Sequence, residues 1–195
     1  AIPVFLVAQK WLEFHRAVIL FASLGLYALL IETNAIITGF PYGHFGYSEL
    51  LGYKLFGYVP WTVAFAWTPL ALAAFAIAHQ FFTNSVVRIF AVAVILVSFD
   101  LVLDPGAVHL GFWQYDGGGF FYGVPFVNFV GWAFSGALGG VLLEIILKIF
   151  KPVSPVSAQL VISTFFIVYF WTMISLFGGM WLSAIIGILL SCGLL

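Results

Sequence analysis

An all-helical bundle of about six transmembrane helices, folded as one domain over residues 1–195, is the fold this sequence predicts. Three observations lead there. The chain is 64% hydrophobic and only 7% charged, against roughly 25% charged residues in soluble domains, and its mean hydropathy is +1.19. Its apolar stretches run unbroken at the length of a membrane span, ~20 residues, whereas a β-barrel strand alternates every second residue. Its basic residues gather on alternate connections.

The long apolar runs place spans at Ala17 to Phe40, Trp61 to Phe82, Arg88 to Leu103, Phe126 to Ile149, Ala158 to Phe177 and Met180 to Leu195. Pro60, Pro125 and Pro155 stand at or just before three of these starts, where a missing N–H costs nothing. The stretch from Ala1 to Ala8 is too short to span and reads as an interfacial segment or the tail of a preceding helix; it lacks the charge order of a signal peptide. With the amino terminus cytoplasmic, Lys10, Arg16, Arg88, Lys148 and Lys151 fall inside and only Lys54 outside. The connections Pro41 to Pro60 and Asp104 to Pro125 then share the non-cytoplasmic face. They carry most of the glycine, tyrosine and acidic residues, so function is expected there.

Other classes are excluded by the same counts. A net charge of −1 offers no basic surface to nucleic acid. The one cysteine, Cys192, forms neither an internal disulfide nor a thiolate metal site. His15, His44, His79 and His109 have no metal-ligand spacing, which disfavours a di-iron hydroxylase, and no metal is expected. Every lysine sits near a membrane edge, against a retinal-type Schiff base. The expected partners are membrane lipids and a long apolar molecule such as a polyene.

Helix contacts are read from small residues four apart: Gly131, Ser135 and Gly139, and again Ser183, Gly187 and Ser191. A short echo links Val59-Pro60-Trp61 with Trp67 to Val124-Pro125-Phe126 with Trp132, each tryptophan seven residues after its proline.

Polar residues inside hydrocarbon are costly and mark function. Glu32 lies in the outer half of the first span, followed by Thr33, Asn34 and Thr38. Asp100 and Asp104, four apart, share one helical face if the helix persists to Pro105. Neighbouring acids do not both ionise cheaply, so one carboxyl is expected protonated and one ionised, the division that acid–base chemistry uses. The bland alternative has Asp104 capping a turn and Asp100 tying helices together. Around these acids the connections bring Tyr42, His44, Tyr47 and Glu49, then His109, Trp113, Tyr115, Asp116 and Tyr122. An aromatic pocket with buried carboxyls suits an apolar guest and a transient cation.

Several motifs in these connections agree with one family. Thr38-Gly39-Phe40-Pro41-Tyr42-Gly43-His44-Phe45-Gly46-Tyr47, Leu51-Gly52-Tyr53-Lys54-Leu55-Phe56-Gly57, Leu103-Asp104-Pro105 with Gly111-Phe112-Trp113, and Tyr122-Gly123-Val124-Pro125 with Asn128-Phe129 and Gly131-Trp132 resemble the membrane carotenoid biosynthesis family, which includes carotenoid hydratases. The match runs from about Glu32 to Trp132; the last two spans match in hydrophobicity alone. His44 stands where the family has a basic residue, and Phe45 where it has tyrosine. Members are longer, so amino-terminal helices of the family are expected to be missing from this sequence.

The resemblance implies hydration of the terminal double bond of an acyclic carotenoid, without a cofactor. For that chemistry the expected acid–base pair is Asp104 or Asp100 together with Glu32. Tyr42, Tyr47, His109, Trp113, Tyr122, Asn128 and Trp132 are the candidates for the substrate and its cation. The alternatives are a lycopene-type cyclase, weakened by the lack of an acid-rich proline motif, a non-catalytic carotenoid-binding subunit working with other membrane subunits, and a transporter.

Overall fold

The computed structural model describes residues 1–152 and 154–194. Among the described residues, five helices are long and apolar enough to cross a membrane, which makes the chain an integral membrane protein. In chain order the elements are α1 (Ile2–Leu12), α2 (Phe14–Thr38), β1 (Phe45–Tyr47), β2 (Lys54–Leu55), β3 (Val59–Pro60), α3 (Val63–Phe81), α4 (Ser85–His109), β4 (Trp113–Tyr115), α5 (Phe126–Phe150), α6 (Ile162–Phe177) and α7 (Trp181–Gly193). A 3₁₀ turn, Ala158–Val161, leads into α6. Large apolar side chains such as Leu26 and Leu30 on α2, Phe90 and Val94 on α4 and Phe166 on α6 stay exposed. In a bilayer that outward surface meets lipid, and the helices satisfy their own backbone.

Three sequence expectations are refined. The segment from Met180 forms α7, whose 13 residues rise only about 20 Å, short of a ~30 Å hydrocarbon core; Leu195, the end of that predicted span, lies outside the described residues. The amino-terminal stretch is a helix packed into the bundle: Val4, Ala8, Trp11 and Leu12 of α1 are buried, and Trp11 Nε1 donates to the Ser154 carbonyl at 3.0 Å. The third span does not stop at Leu103. α4 runs through Pro105 to His109, because a proline ring already holds a helical φ and packed neighbours compensate its lost hydrogen bond. The neighbour here is α6, which approaches so closely at Gly106 that an added Cβ would stand 2.6 Å from the Trp171 ring.

Local signals explain the remaining boundaries. Gly39 ends α2 in the left-handed region at φ 78°, and its N–H returns to the Ala35 carbonyl, as helix C-termini commonly do. Asn84 caps α4, its Oδ1 accepting from the Val86 and Val87 N–H groups. Pro125 stands immediately before α5, while Pro60 falls in β3, three residues ahead of α3.

The small-residue stripe on α5 lets other elements approach its backbone. A Cβ on Gly131 would meet the Pro41 carbonyl, and one on Gly139 would meet the Trp67 ring. The Ser135 carbonyl accepts the Tyr27 hydroxyl at 2.6 Å. In the second stripe, Gly187 admits Thr172 of α6 and Ser183 hydrogen-bonds Ser175 at 2.9 Å. At the end of the bundle where α3 turns into α4, Arg88 forks onto Glu144 of α5, with Nε at 2.7 Å and Nη2 at 3.0 Å. It also donates to the Phe82 and Thr83 carbonyls.

The two long connections meet at the other end. β1 pairs antiparallel with β4 in the register Phe45 with Tyr115, Gly46 with Gln114 and Tyr47 with Trp113. This ribbon lies over the ends of α2 and α4 that carry the acids.

Candidate active site

Side chains alternate across a strand, so Phe45, Tyr47, Trp113 and Tyr115 share one face of the ribbon and Gly46 and Gln114 the other. All four aromatic residues line one cavity of about 410 Å³, within the usual range for a ligand site; its walls include Glu32, Tyr42, Trp67, Asp104, Asn128 and Trp132. The ribbon is therefore an aromatic roof. The rings interlock: Tyr47 meets Trp113 edge-on at 5.7 Å and Phe45 meets Tyr115 at 5.5 Å.

Each strand delivers one hydroxyl to one acid. Tyr47 donates to Glu32 Oε2 at 2.9 Å, and Tyr115 donates to Asp104 Oδ2 at 2.6 Å. Burial, followed by the charge of the adjoining carboxyl, pushes both hydroxyls well above the ordinary tyrosine range. They consequently remain neutral donors near pH 7. Burial likewise pushes the Tyr42 hydroxyl up.

The helix through Pro105 keeps Asp100 and Asp104 on one face, as the four-residue spacing predicts. Asn128, in the first turn of α5, ties them together. Its Nδ2 donates to Asp100 Oδ2 at 2.8 Å and to Asp104 Oδ2 at 2.7 Å, using both of its amide hydrogens. The two carboxyl groups thus converge on one amide. Asp100 is buried behind this arrangement and Asp104 reaches the cavity.

The candidate residues thus separate. Glu32, Asp104, Tyr42, Tyr47, Trp113, Asn128 and Trp132 come together on the cavity wall, with Asp100 directly behind. Two do not join them. His109 is exposed in the last turn of α4, beside Gly178. Tyr122 points away, its hydroxyl accepting the Leu182 N–H of α7 at 3.1 Å. Sequence reasoning missed Phe45 and Trp67 as wall residues and Tyr115 as the partner of Asp104. The alternation in Phe45-Gly46-Tyr47 and Trp113-Gln114-Tyr115 is the signal that leads to two of them. The proline–tryptophan echo holds the third, since Trp67 and Trp132 both face the cavity.

A helical membrane bundle whose acids meet under an aromatic roof defines a class. The chain belongs to the carotenoid biosynthesis protein family, whose model matches residues 1–194, extending the likeness across the last two helices. Among curated proteins it is similar to bisanhydrobacterioruberin hydratase of Haloarcula japonica, at 38% identity over 134 residues, which is 67% of this chain and 45% of that protein. The chain thus matches less than half the length of this relative. No solved structure matches it.

Proposed function

We propose that this chain hydrates the terminal double bond of an acyclic carotenoid end group. The observation that carries the reading is the placement of Glu32 and Asp104 on one aromatic cavity, each carboxyl held by a tyrosine hydroxyl. The hydratase named among its relatives supports the same chemistry.

Asp104 is the acid. In its protonated form it gives its proton to the less substituted carbon of the alkene, and the π electrons form the new C–H bond. The tertiary cation left behind lies against Tyr47, Trp113 and Trp132, whose ring faces attract positive charge. Water attacks the cation, and Glu32 removes the extra proton as the tertiary alcohol forms. Protonation of the Asp100–Asp104 pair from Glu32 or solvent closes the cycle. The cavity takes the end group. The polyene tail follows an apolar groove of about 580 Å³ between α1, α2 and α3, which shares Phe65 with the cavity.

The test is pigment analysis by chromatography with mass detection in a lycopene-producing host. A new pigment heavier by one water, lost in Asp104→Asn and Glu32→Gln, is the expected result. Full hydration by both variants would remove these roles. Unchanged pigment bound to the folded native chain would favour a carotenoid-binding subunit.

A further inference from the structure

The first connection carries an apolar surface that the site does not use. Tyr53 is 75% exposed and Phe56, at the tip of the β2–β3 hairpin, 93%; Trp61 and Phe65 are about half exposed. The hairpin register pairs Lys54 with Pro60 and Leu55 with Val59, and the Trp61 N–H continues it to the Tyr53 carbonyl at 3.2 Å. Tyr53 and Trp61 therefore stand opposite each other on one face. Trp61 in turn meets Phe65 of α3 edge-on at 5.6 Å. An exposed aromatic strip thus runs from the hairpin onto the lipid-facing surface of a membrane span. The charges beside it are satisfied: Glu49 and Lys54 pair at 2.7 Å, and Lys54 Nζ also donates to the Tyr47 carbonyl at 2.7 Å.

We propose that this hairpin is seated in the lipid interface, with Tyr53, Phe56 and Trp61 among the headgroups and upper acyl chains of the bilayer. Depth supports the seating. α3 has 19 residues, a rise of about 28 Å, close to the ~30 Å hydrocarbon core. Its first turn therefore lies at the boundary, and the hairpin, which ends at Pro60 just before Val63 opens α3, stands at headgroup level. Tryptophan and tyrosine, apolar rings with one polar atom, settle at that level. Because Glu49 and Lys54 neutralise each other, the apolar strip drives the seating and anionic lipid is not needed. The base of the hairpin is also cavity wall: Leu51 and Thr62 line the cavity, and Thr62 Oγ1 donates to the Leu51 carbonyl at 3.2 Å. The seating brings that wall to the lipid boundary, the phase that dissolves a polyene. This consequence rests on the hydratase reading above; the seating itself does not.

An environment-sensitive fluorophore at the hairpin tip tests the seating. The full chain carrying Cys192→Ala and Phe56→Cys is labelled with a nitrobenzoxadiazole maleimide and placed, one copy per disc, in nanodiscs of phosphatidylcholine. Blue-shifted emission is expected, unaffected by aqueous iodide and quenched roughly twofold when the acyl chains are brominated, as for a group ~5–10 Å below the surface. The same label at Gln114→Cys, exposed on the face of the roof turned away from the cavity, should emit as in water and be quenched by iodide alone. Water-like emission and iodide quenching at the hairpin tip would overturn the proposal. So would shielding that appears only in discs holding two copies, because the occupant would then be a second copy of this chain. A shielded tip that brominated chains leave unquenched would overturn it as well, since protein would cover it. No carotenoid enters the experiment, so its failure and that of the hydratase reading are told apart.

Discussion

Asn128 shows how a single amide organises two acids. Its two hydrogens are the link between Asp100 and Asp104, so Asn128→Leu, similar in size, leaves two buried carboxyls short of donors. Losing a hydrogen bond to a buried charged group costs about 1.5–3 kcal/mol, and two are lost here. A drop in thermal stability in detergent, with hydration reduced more than tenfold, is the expected outcome; a stable, active variant would contradict it. The roof tyrosines make a pH prediction. Their hydroxyls titrate near pH 10 when unfolded and higher when folded. Because the folded value is the raised one, their contribution is complete below about pH 10 and is lost as pH rises beyond it. Melting temperature should therefore fall above about pH 10, and the double variant Tyr47→Phe with Tyr115→Phe should flatten that fall.

At the scale of elements, lipid made the long helices legible. Runs such as Phe126 to Ile149 must bury their backbone in helical bonds, and α5 agrees with the predicted span to one residue. The spacing of Asp100 and Asp104 carried the acid pair for the same reason. The ribbon was hidden because its strands have three residues each and lie far apart in sequence, and such pairing depends on the helices that bring the connections together. Helix α4 was read short because Pro105 is a probable stop, and only packing against α6 lets the helix continue past it. Two glycines test the ribbon and its flanking turn. A Cβ at Gly46 meets nothing within 4 Å, so Gly46→Ala should change stability by less than about 0.5 kcal/mol, as for an open surface site. A Cβ at Gly119 would overlap the Val124 backbone, so Gly119→Ala should distort the turn before α5 and lower both melting temperature and activity. Equal behaviour of the two variants would be inconsistent with this geometry.

Taken whole, the molecule is polar at both ends in different ways. One end carries the roof and acids; the opposite end carries the Arg88–Glu144 fork, whose side chains are only 12% and 10% exposed. A buried pair of this kind is costly to break from one side, about 3–5 kcal/mol, so Glu144→Gln should destabilise the bundle strongly, and Arg88→Lys should not substitute for the planar fork. The ends also bear on orientation, because Lys148 in the last turn of α5 and Lys151 just after it lie on the fork side while Gly46 lies in the roof. On the positive-inside bias we propose that the fork end faces the cytoplasm and the roof faces outward. With Cys192 replaced by alanine, Gly46→Cys should react with a membrane-impermeant maleimide added to intact cells, and Lys148→Cys only after the cells are opened. The reverse pattern would place the acids on the cytoplasmic side and require substrate and water to meet there. The chemistry under the roof would be unchanged, but the side that supplies its water would be the other one.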